Sequence, residues 1–294
     1  MLKQIFFCLI SFPFFAQTIP VGMTDLAEER LRNQQLISGA QNSFTIRPVS
    51  DSTTHRLLPI NLLATFNSFA PIGYNDGGML PARGLQTLLT GGLYFKYKAL
   101  SLQVKPEIVW AANTDFSTFS LSQSDLARRA MVYYLTTSDI PERFGTDPIT
   151  KFYPGQSSLR ISSKSVSFGI STENLWWGPG FRNSLLMTNN APGFLHATFN
   201  SVKPLKTFAG NFEFQWIAGR LDGSGIEPTT EEVSVGGVNY FWPKPKDWRY
   251  LTGITFNYQP KWVPGLFLGF SRIFQLYSKD MGQGFTDFFP IIIP

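Results

Sequence analysis

The chain has 294 residues, a formal net charge of +5 and one cysteine, Cys8. Its basic residues are spread along the sequence rather than gathered in runs, which excludes the charge pattern of a nucleic-acid-binding protein. Aromatic and charged residues each make up 15% of the chain, which is unusual for a soluble secreted protein of this size.

The first residues have the layout of a secretory signal. One early cation, Lys3, precedes an apolar run from Ile5 to Phe15, and the small residue Ala16 follows. The run is too short to span a bilayer as a helix, so we expect residues 1–16 to be removed after export. Because the only cysteine lies within them, the mature chain contains no disulfide and no cysteine nucleophile.

A helix is predicted within the next segment, residues 17–42. Thr24 and Asp25 can form its N-cap and first turn, the residues that follow are rich in helix formers, and Gly39 can end it. Its apolar stripe is thin. We therefore expect a polar helix on the water side of the main fold, which for an exported protein is the periplasmic side.

From residue 43 to residue 294, apolar and polar residues alternate in segments of up to about ten, as strands do when their two faces meet different surroundings. In one segment, Phe212 and Phe214 oppose Glu213 and Gln215. The clearest segments are Ala99 to Trp110, which Pro106 interrupts, Ser165 to Glu173, Asn211 to Ala218 and Thr252 to Gln259. Weaker ones are Ser43 to Val49, Ile60 to Asn67, Leu85 to Lys98, Ser157 to Ser163, Phe194 to Asn200, Val233 to Trp242 and Leu266 to Tyr277.

These roughly eleven segments predict an all-β fold, a transmembrane antiparallel β-barrel. A soluble β-sandwich also alternates, but the outer faces of a sandwich are usually richer in Lys and Glu than these. Tight turns are predicted at Ser163-Lys164 and at Trp262 to Gly265. Surface loops or inward-folded plugs are predicted at Ser68 to Gly84, Asn113 to Gln156, Trp176 to Gly193 and Leu221 to Glu232.

One loop carries the most distinctive motif, TENLWWGPGFRNSLLMTNNAPGF, which ends at Phe194. It resembles a segment of the Wzi family of capsule-assembly outer-membrane barrels, in the form found in Bacteroidetes-type bacteria. Six further blocks follow the order of the family: FTIRP from Phe44, NDGGMLPARGLQ from Asn75, VKPE from Val104, GQSSLRI from Gly155, FEFQWIAGRLDGSG from Phe212 and YQPKWVPGLFLGFSR from Tyr258.

The resemblance implies a monomeric barrel of about eighteen strands in the outer membrane of a Gram-negative bacterium, with a helical part on the periplasmic side. It implies a lectin that helps to attach or organise capsular polysaccharide, with the polysaccharide export machinery as a further partner. The family is not known for an enzyme activity, and we expect no cofactor. Its members are longer than 294 residues, so we expect this chain to be truncated at its C-terminus.

The distinctive loop combines flat aromatic side chains with planar polar groups, and sugars present apolar C–H faces and dense hydroxyls. The aromatic rings are expected to stack on sugars, the arginine to clamp acidic sugars, and the amides to bind hydroxyls. A Trp pair at a strand end is equally typical of an interface anchor in a membrane barrel. The candidate glycan-binding residues are Trp176, Trp177, Arg182, Asn183, Asn189 and Asn190.

Charged residues on the predicted lumen-facing rows form a second group. We expect them to hold the barrel interior through ion pairs and hydrogen bonds, and lining a sugar path is the alternative. The group consists of Glu107, Arg160, Glu173, Glu213 and Arg220. No metal site is predicted, because His196 has no second ligand at metal spacing and the only other histidine is His55.

Two other functions remain open. A barrel-borne glycan hydrolase would use two of the carboxylates of Glu107, Glu173 and Glu213, about 5 to 10 Å apart. A passive diffusion channel would need an open aqueous lumen, which inward-folded loops would close.

Overall fold

The computed structural model describes residues 37, 54–120, 122–137, 143–178, 183–226, 234–235, 237–239, 245–263, 265–282 and 284–289. Most of them form one antiparallel sheet, which confirms the predicted all-β, barrel-type fold. The signal segment, the predicted strand at Ser43 to Val49 and all of the predicted N-terminal helix except residue 37, which is helical, lie outside the described residues. No helix within the described ranges is long and apolar enough to cross a membrane.

From residue 54 onward, the described residues form fourteen strands and three helical segments. The strands are β1 (His55–Asn67), β2 (Gly84–Tyr97), β3 (Leu100–Val104), β4 (Glu107–Ala111), β5 (Ile149–Tyr153), β6 (Ser158–Ser162), β7 (Val166–Ser171), β8 (His196–Ser201), β9 (Leu205–Lys206), β10 (Gly210–Leu221), β11 (Ser234–Val235), β12 (Val238–Asn239), β13 (Arg249–Pro260) and β14 (Leu268–Tyr277). The helices are α1 (Asp125–Thr137), α2 (Phe285–Phe288) and a 3-10 turn at Ser278–Asp280.

The strand pairs of the main sheet are all antiparallel, and the sheet is a meander when β3 with β4, and β5 with β6, are each counted as one interrupted strand. β3 and β4 are two halves of one long strand that both pair with β2, and the break between them contains Pro106, as predicted. β6 pairs with β3, and β5 pairs with β4. Beyond β6, the sheet continues through β7, β8, β10, β13 and β14. In the described part of the chain, β1 and β14 do not pair with each other, so the sheet is open between them.

Two elements occur where the sequence predicted a loop, between Asn113 and Gln156. These are α1, which has thirteen residues, and β5, whose five residues are too few for a clear period-two pattern. The predicted strand at Val233 to Trp242 is reduced, within the described residues, to the two-residue pair of β11 and β12. The strands predicted from longer alternation were found with small shifts of their ends.

Connections at the two ends of the sheet differ in length. At one end, the turns are short: residues 98–99 join β2 to β3, and residues 163–165 join β6 to β7. At the other end, long connections cover residues 68–83, 112–148 and 172–195, and we call this the long-loop end. In outer-membrane barrels, the short turns lie on the periplasmic side and the long loops on the outside of the cell.

The two faces of the sheet are inverted relative to those of a soluble protein. On the outer face, Leu62, Leu89, Ile108 and Phe152 lie side by side on four strands and are 41% to 69% exposed. On the inner face, side chains that are in register across four further strands are polar and almost fully buried. That row consists of Ser167, Asn200, Gln215 and Thr255. A soluble sandwich buries its apolar side chains and exposes its polar ones, which is the opposite arrangement. The exposed apolar face is therefore the one expected to contact lipid.

We expect Ile108→Arg to destabilise the folded protein in a phospholipid bilayer by about 2–4 kcal/mol, because a cation on the lipid face near the midplane loses hydration. Urea unfolding in vesicles measures this change. Phe208→Arg is the control, since Phe208 is 93% exposed in the connection between β9 and β10, away from the apolar row. Equal stability of the two variants would show that the Ile108 row does not face lipid.

Candidate functional site

The loop between β7 and β8 folds onto the inner face of the sheet. Trp177 packs with Leu175 against Ile217 and Leu251, which belong to β10 and β13. The indole Nε1 of Trp177 donates a hydrogen bond to Gln215 Oε1 at 3.0 Å. An apolar cluster and a buried hydrogen bond therefore attach the loop to the strands beneath it.

Trp177 fits against the sheet because position 253 has no side chain. A Cβ atom built on Gly253 would lie 3.0 Å from two carbon atoms of the Trp177 ring and 2.9 Å from Ile273 Cγ1. Such contacts are too close, so any larger residue would displace the indole or the strand. The glycine in β13 and the tryptophan in the loop thus form one packing unit.

The burial of both tryptophans weighs against both of the roles considered from the sequence, the interface anchor and the sugar platform. Trp176 is 5% exposed and Trp177 is 1% exposed, so neither indole lies on the outer surface as an interface anchor would. Stacking on a sugar also requires an accessible ring face, and these rings are covered. The pair supports the loop from within.

The β7–β8 loop contacts a second loop, the one between β1 and β2. The backbone N–H of Gly77 donates to the carbonyl of Asn189 at 2.7 Å, and that of Asn75 donates to Asn190 Oδ1 at 2.7 Å. The hydroxyl of Tyr74 donates to Asn183 Oδ1. We call these two segments, residues 68–83 and 172–195, the loop pair; in the second segment, the described residues are 172–178 and 183–195.

The loop pair separates the remaining predicted glycan-binding residues into two groups. Asn183 and Asn190 are exposed, whereas Asn189 is 2% exposed and supports the contact between the loops. Arg182 lies outside the described residues. Tyr74, which is 51% exposed, stands beside Asn183 and was not predicted. The only signal for it was its position immediately before the NDGG block.

The predicted network of charged residues is present on the inner face. Arg160 Nη2 and Glu173 Oε2 form an ion pair at 2.6 Å, and Arg160 Nη1 donates to Asn200 Oδ1 at 3.1 Å. Glu173 also accepts hydrogen bonds from Ser171 and Gln103. Because these partners come from β3, β6, β7, β8 and the β7–β8 loop, the network ties the loop to four strands.

The other members of the predicted network lie in different places. Glu107 accepts a hydrogen bond from Gln156 at 2.9 Å and is buried, and Glu213 is buried on the inner face of β10. Arg220 does not belong to the network. Successive side chains of a strand point to opposite faces, and Arg220 is seven residues from Glu213, so it lies on the other face of β10. There it forms an ion pair with the exposed Asp222, and its guanidinium lies over the ring of Trp248.

One carboxyl group of the loop pair, that of Asp76, has a pKa shifted by its surroundings. Burial raises the pKa of Asp76 above its usual value, while backbone hydrogen bonds at Asp76 and Tyr74 oppose that shift. Among the described residues, no group of three or more His, Cys, Asp or Glu side chains could hold a metal ion. The arrangement as a whole is a rigid, polar surface above a packed interior.

Comparison with known proteins gives one family. The model of the family described as capsule assembly protein Wzi matches residues 67–294, a range that includes both loops of the loop pair and every strand except β1. Neither the curated proteins nor the solved structures contain a match.

We expect Glu173→Gln to lower the free energy of unfolding by about 3–5 kcal/mol, because it leaves the buried Arg160 without its counter-charge. Urea unfolding in vesicles measures the change. Asp222→Asn is the matched control, since it breaks an ion pair with Arg220 in which both side chains are more than half exposed, so that water and salt screen the attraction. Similar losses in both variants would contradict a structural role for the buried pair.

Proposed function

Since the chain belongs to the Wzi family of capsule assembly proteins of the outer membrane, we propose that it binds capsular polysaccharide with the loop pair at its long-loop end. The family assigns a role in capsule assembly. Direct contact with the sugar chain is the proposed part. One observation carries it: an exposed aromatic ring stands beside exposed amides on two loops that are fixed to each other.

The chemistry of the loop pair suits a carbohydrate. Tyr74 offers a ring that is half exposed, and the C–H face of a sugar can pack against such a ring. Asn183 and Asn190 each have a side chain at the surface that can pair with sugar hydroxyls. Arg182, next to Asn183 in the sequence, is proposed to clamp a carboxylate of an acidic sugar with its planar guanidinium.

The contacts that hold the loop pair on the sheet favour binding, because loops that are already ordered lose less conformational entropy when the ligand binds. Trp177 and Gln215 hold one loop on the sheet, and Gly77 and Asn189 join the two loops. In this proposal, Trp176, Trp177 and Asn189 maintain the shape of the surface, and Tyr74, Asn183 and Asn190 touch the sugar.

The same geometry weighs against the two other functions. The β7–β8 loop lies on the inner face of the sheet, which disfavours an open diffusion channel. The family is not known as an enzyme family, and Glu173 is held by Arg160 in an ion pair. Low conductance in planar bilayers and the absence of shortened polysaccharide after incubation with the protein are the expected results for a binding protein.

We expect Tyr74→Ala to weaken the binding of purified capsular polysaccharide about tenfold, which corresponds to about 1.4 kcal/mol, because the aromatic platform is lost. Asn183→Ala should weaken it by a similar factor. Surface plasmon resonance with the detergent-solubilised protein measures both. Phe208→Ala is the control at the short-turn end, and its affinity should equal that of the unaltered protein. Unchanged affinity in a folded Tyr74→Ala variant would exclude the loop pair as the site.

The cellular role has its own test. A strain that lacks the gene is compared with the complemented strain for the partition of capsular polysaccharide between cells and culture supernatant. We expect the deletion strain to make polymer but to shed it. Equal amounts on the cells of both strains would contradict a role in attachment.

A further inference from the structure

A small pocket lies beneath the loop pair. It is lined by residues of the β1–β2 loop, of the β7–β8 loop and of the strands below them, among them Glu107 at the start of β4. Its volume is about 20 Å³, which is room for roughly one water-sized sphere and far too little for a sugar ring. Its lining is polar except for two leucines and a glycine. The polar residues of the lining are Asn75, Asp76, Lys105, Glu107, Gln156, Asn174 and Asn189.

One oxygen in this pocket is unsatisfied. Glu107 is 4% exposed; its Oε1 accepts a hydrogen bond from Gln156 Nε2, while its Oε2 has no hydrogen-bond partner among the described residues. A buried carboxylate oxygen without a partner is costly, because it has lost its hydration and gained nothing in return. An occupant of the pocket that interacts favourably with this oxygen would offset that cost.

The backbone has been shaped to hold Glu107 in this position. Gly155 has a φ of +61°, and a Cβ atom there would lie 2.8 Å from Glu107 Cγ and 2.4 Å from the carbonyl oxygen of Lys105. Only glycine adopts this conformation at such a close approach without strain. The segment Gly155–Gln156 is thus pressed against the carboxylate, and its other side is closed by the loop that carries Asp76.

We propose that this pocket is a binding site for a single Ca²⁺ ion, with Glu107 and Asp76 as its charged ligands. Two carboxylates outnumber the one ammonium of the lining, that of Lys105, so the pocket is net negative. The remaining ligands are amide oxygens from residues of the same lining. An all-oxygen ligand set is the one that hard cations prefer.

The size and irregularity of the pocket select Ca²⁺ over Mg²⁺. Ca²⁺ accepts six to eight oxygens in flexible geometry, whereas Mg²⁺ demands an octahedron and keeps several waters. A pocket with room for about one water has no space for a hydrated Mg²⁺ ion. A water molecule alone would satisfy one oxygen but would leave the negative charge uncompensated.

Amide-rich sites are difficult to find from a sequence, and the spacing of the two histidines, from which no metal site was predicted, carries no information about them. Glu107 and Asp76 are separated by thirty-one positions, and only the fold brings them to one cavity. With two carboxylates, the site has a low ligand charge, which places its affinity in the range of extracellular Ca²⁺ modules, a Kd of about 10⁻⁴–10⁻³ M. Ca²⁺ bound there would join the β1–β2 loop to β4.

The test is calorimetric titration of the EDTA-treated, detergent-solubilised full chain with CaCl₂, in the absence of polysaccharide, so that its outcome is independent of the proposed function. We expect one saturable site, and an affinity for MgCl₂ at least tenfold weaker. Glu107→Gln and Asp76→Asn should each weaken Ca²⁺ binding at least tenfold. Asp280→Asn, an exposed carboxylate in the 3-10 turn, is the matched control and should bind as the unaltered chain does.

The loop position of Asp76 keeps the test decisive, because Asp76→Asn alters no residue of a strand and is expected to fold even where Glu107→Gln disturbs folding. Absence of saturable Ca²⁺ binding in the unaltered chain overturns the proposal and leaves water as the occupant. Unchanged Ca²⁺ affinity in a folded Asp76→Asn or Glu107→Gln variant overturns the assignment of the site. Equal affinity for Mg²⁺ overturns the selectivity.

Discussion

The buried polar network on the inner face, centred on the ion pair of Arg160 with Glu173, is the interaction on which the rest of the structure depends. An outward apolar face obliges the sheet to bury its polar side chains, and buried polar groups are stable only when they satisfy one another. Arg160 binds Glu173 and Asn200, and Glu173 also accepts from Ser171 and Gln103. The interior is therefore held by directional bonds as well as by packing.

That interior positions the loops. Glu173 is the first charged residue after β7, so the ion pair fixes the start of the β7–β8 loop, and Trp177 then inserts over Gly253 a few residues later. Once this loop is fixed, the β1–β2 loop has a rigid partner, to which Gly77 and Asn75 donate hydrogen bonds. The polar surface at the long-loop end is a consequence of contacts made deeper in the molecule.

Binding at the surface and binding beneath it are connected through one loop. The β1–β2 loop presents Tyr74 to the outside and Asp76 to the small pocket that Glu107 lines. A cation held below would restrain the loop from its inner side, while Asn183 and Asn190 restrain it from the other. Carbohydrate recognition and cation binding would then reinforce each other, because the ligand that binds first orders the loop and so reduces the conformational entropy that the loop loses when the second ligand binds.

The sequence by itself determined the fold class and the strands, because a period of two is a local property that survives any tertiary arrangement. It identified the exposed Asn183 and Asn190, and it assigned Arg160, Glu173, Glu107 and Glu213 to the interior. It was wrong about Arg220, although counting from Glu213 would have placed it outside. The tertiary structure alone decided that the Trp pair is buried, that Tyr74 joins the surface, and that Asp76 and Glu107 line one pocket, because these arrangements bring together residues from separate loops and strands.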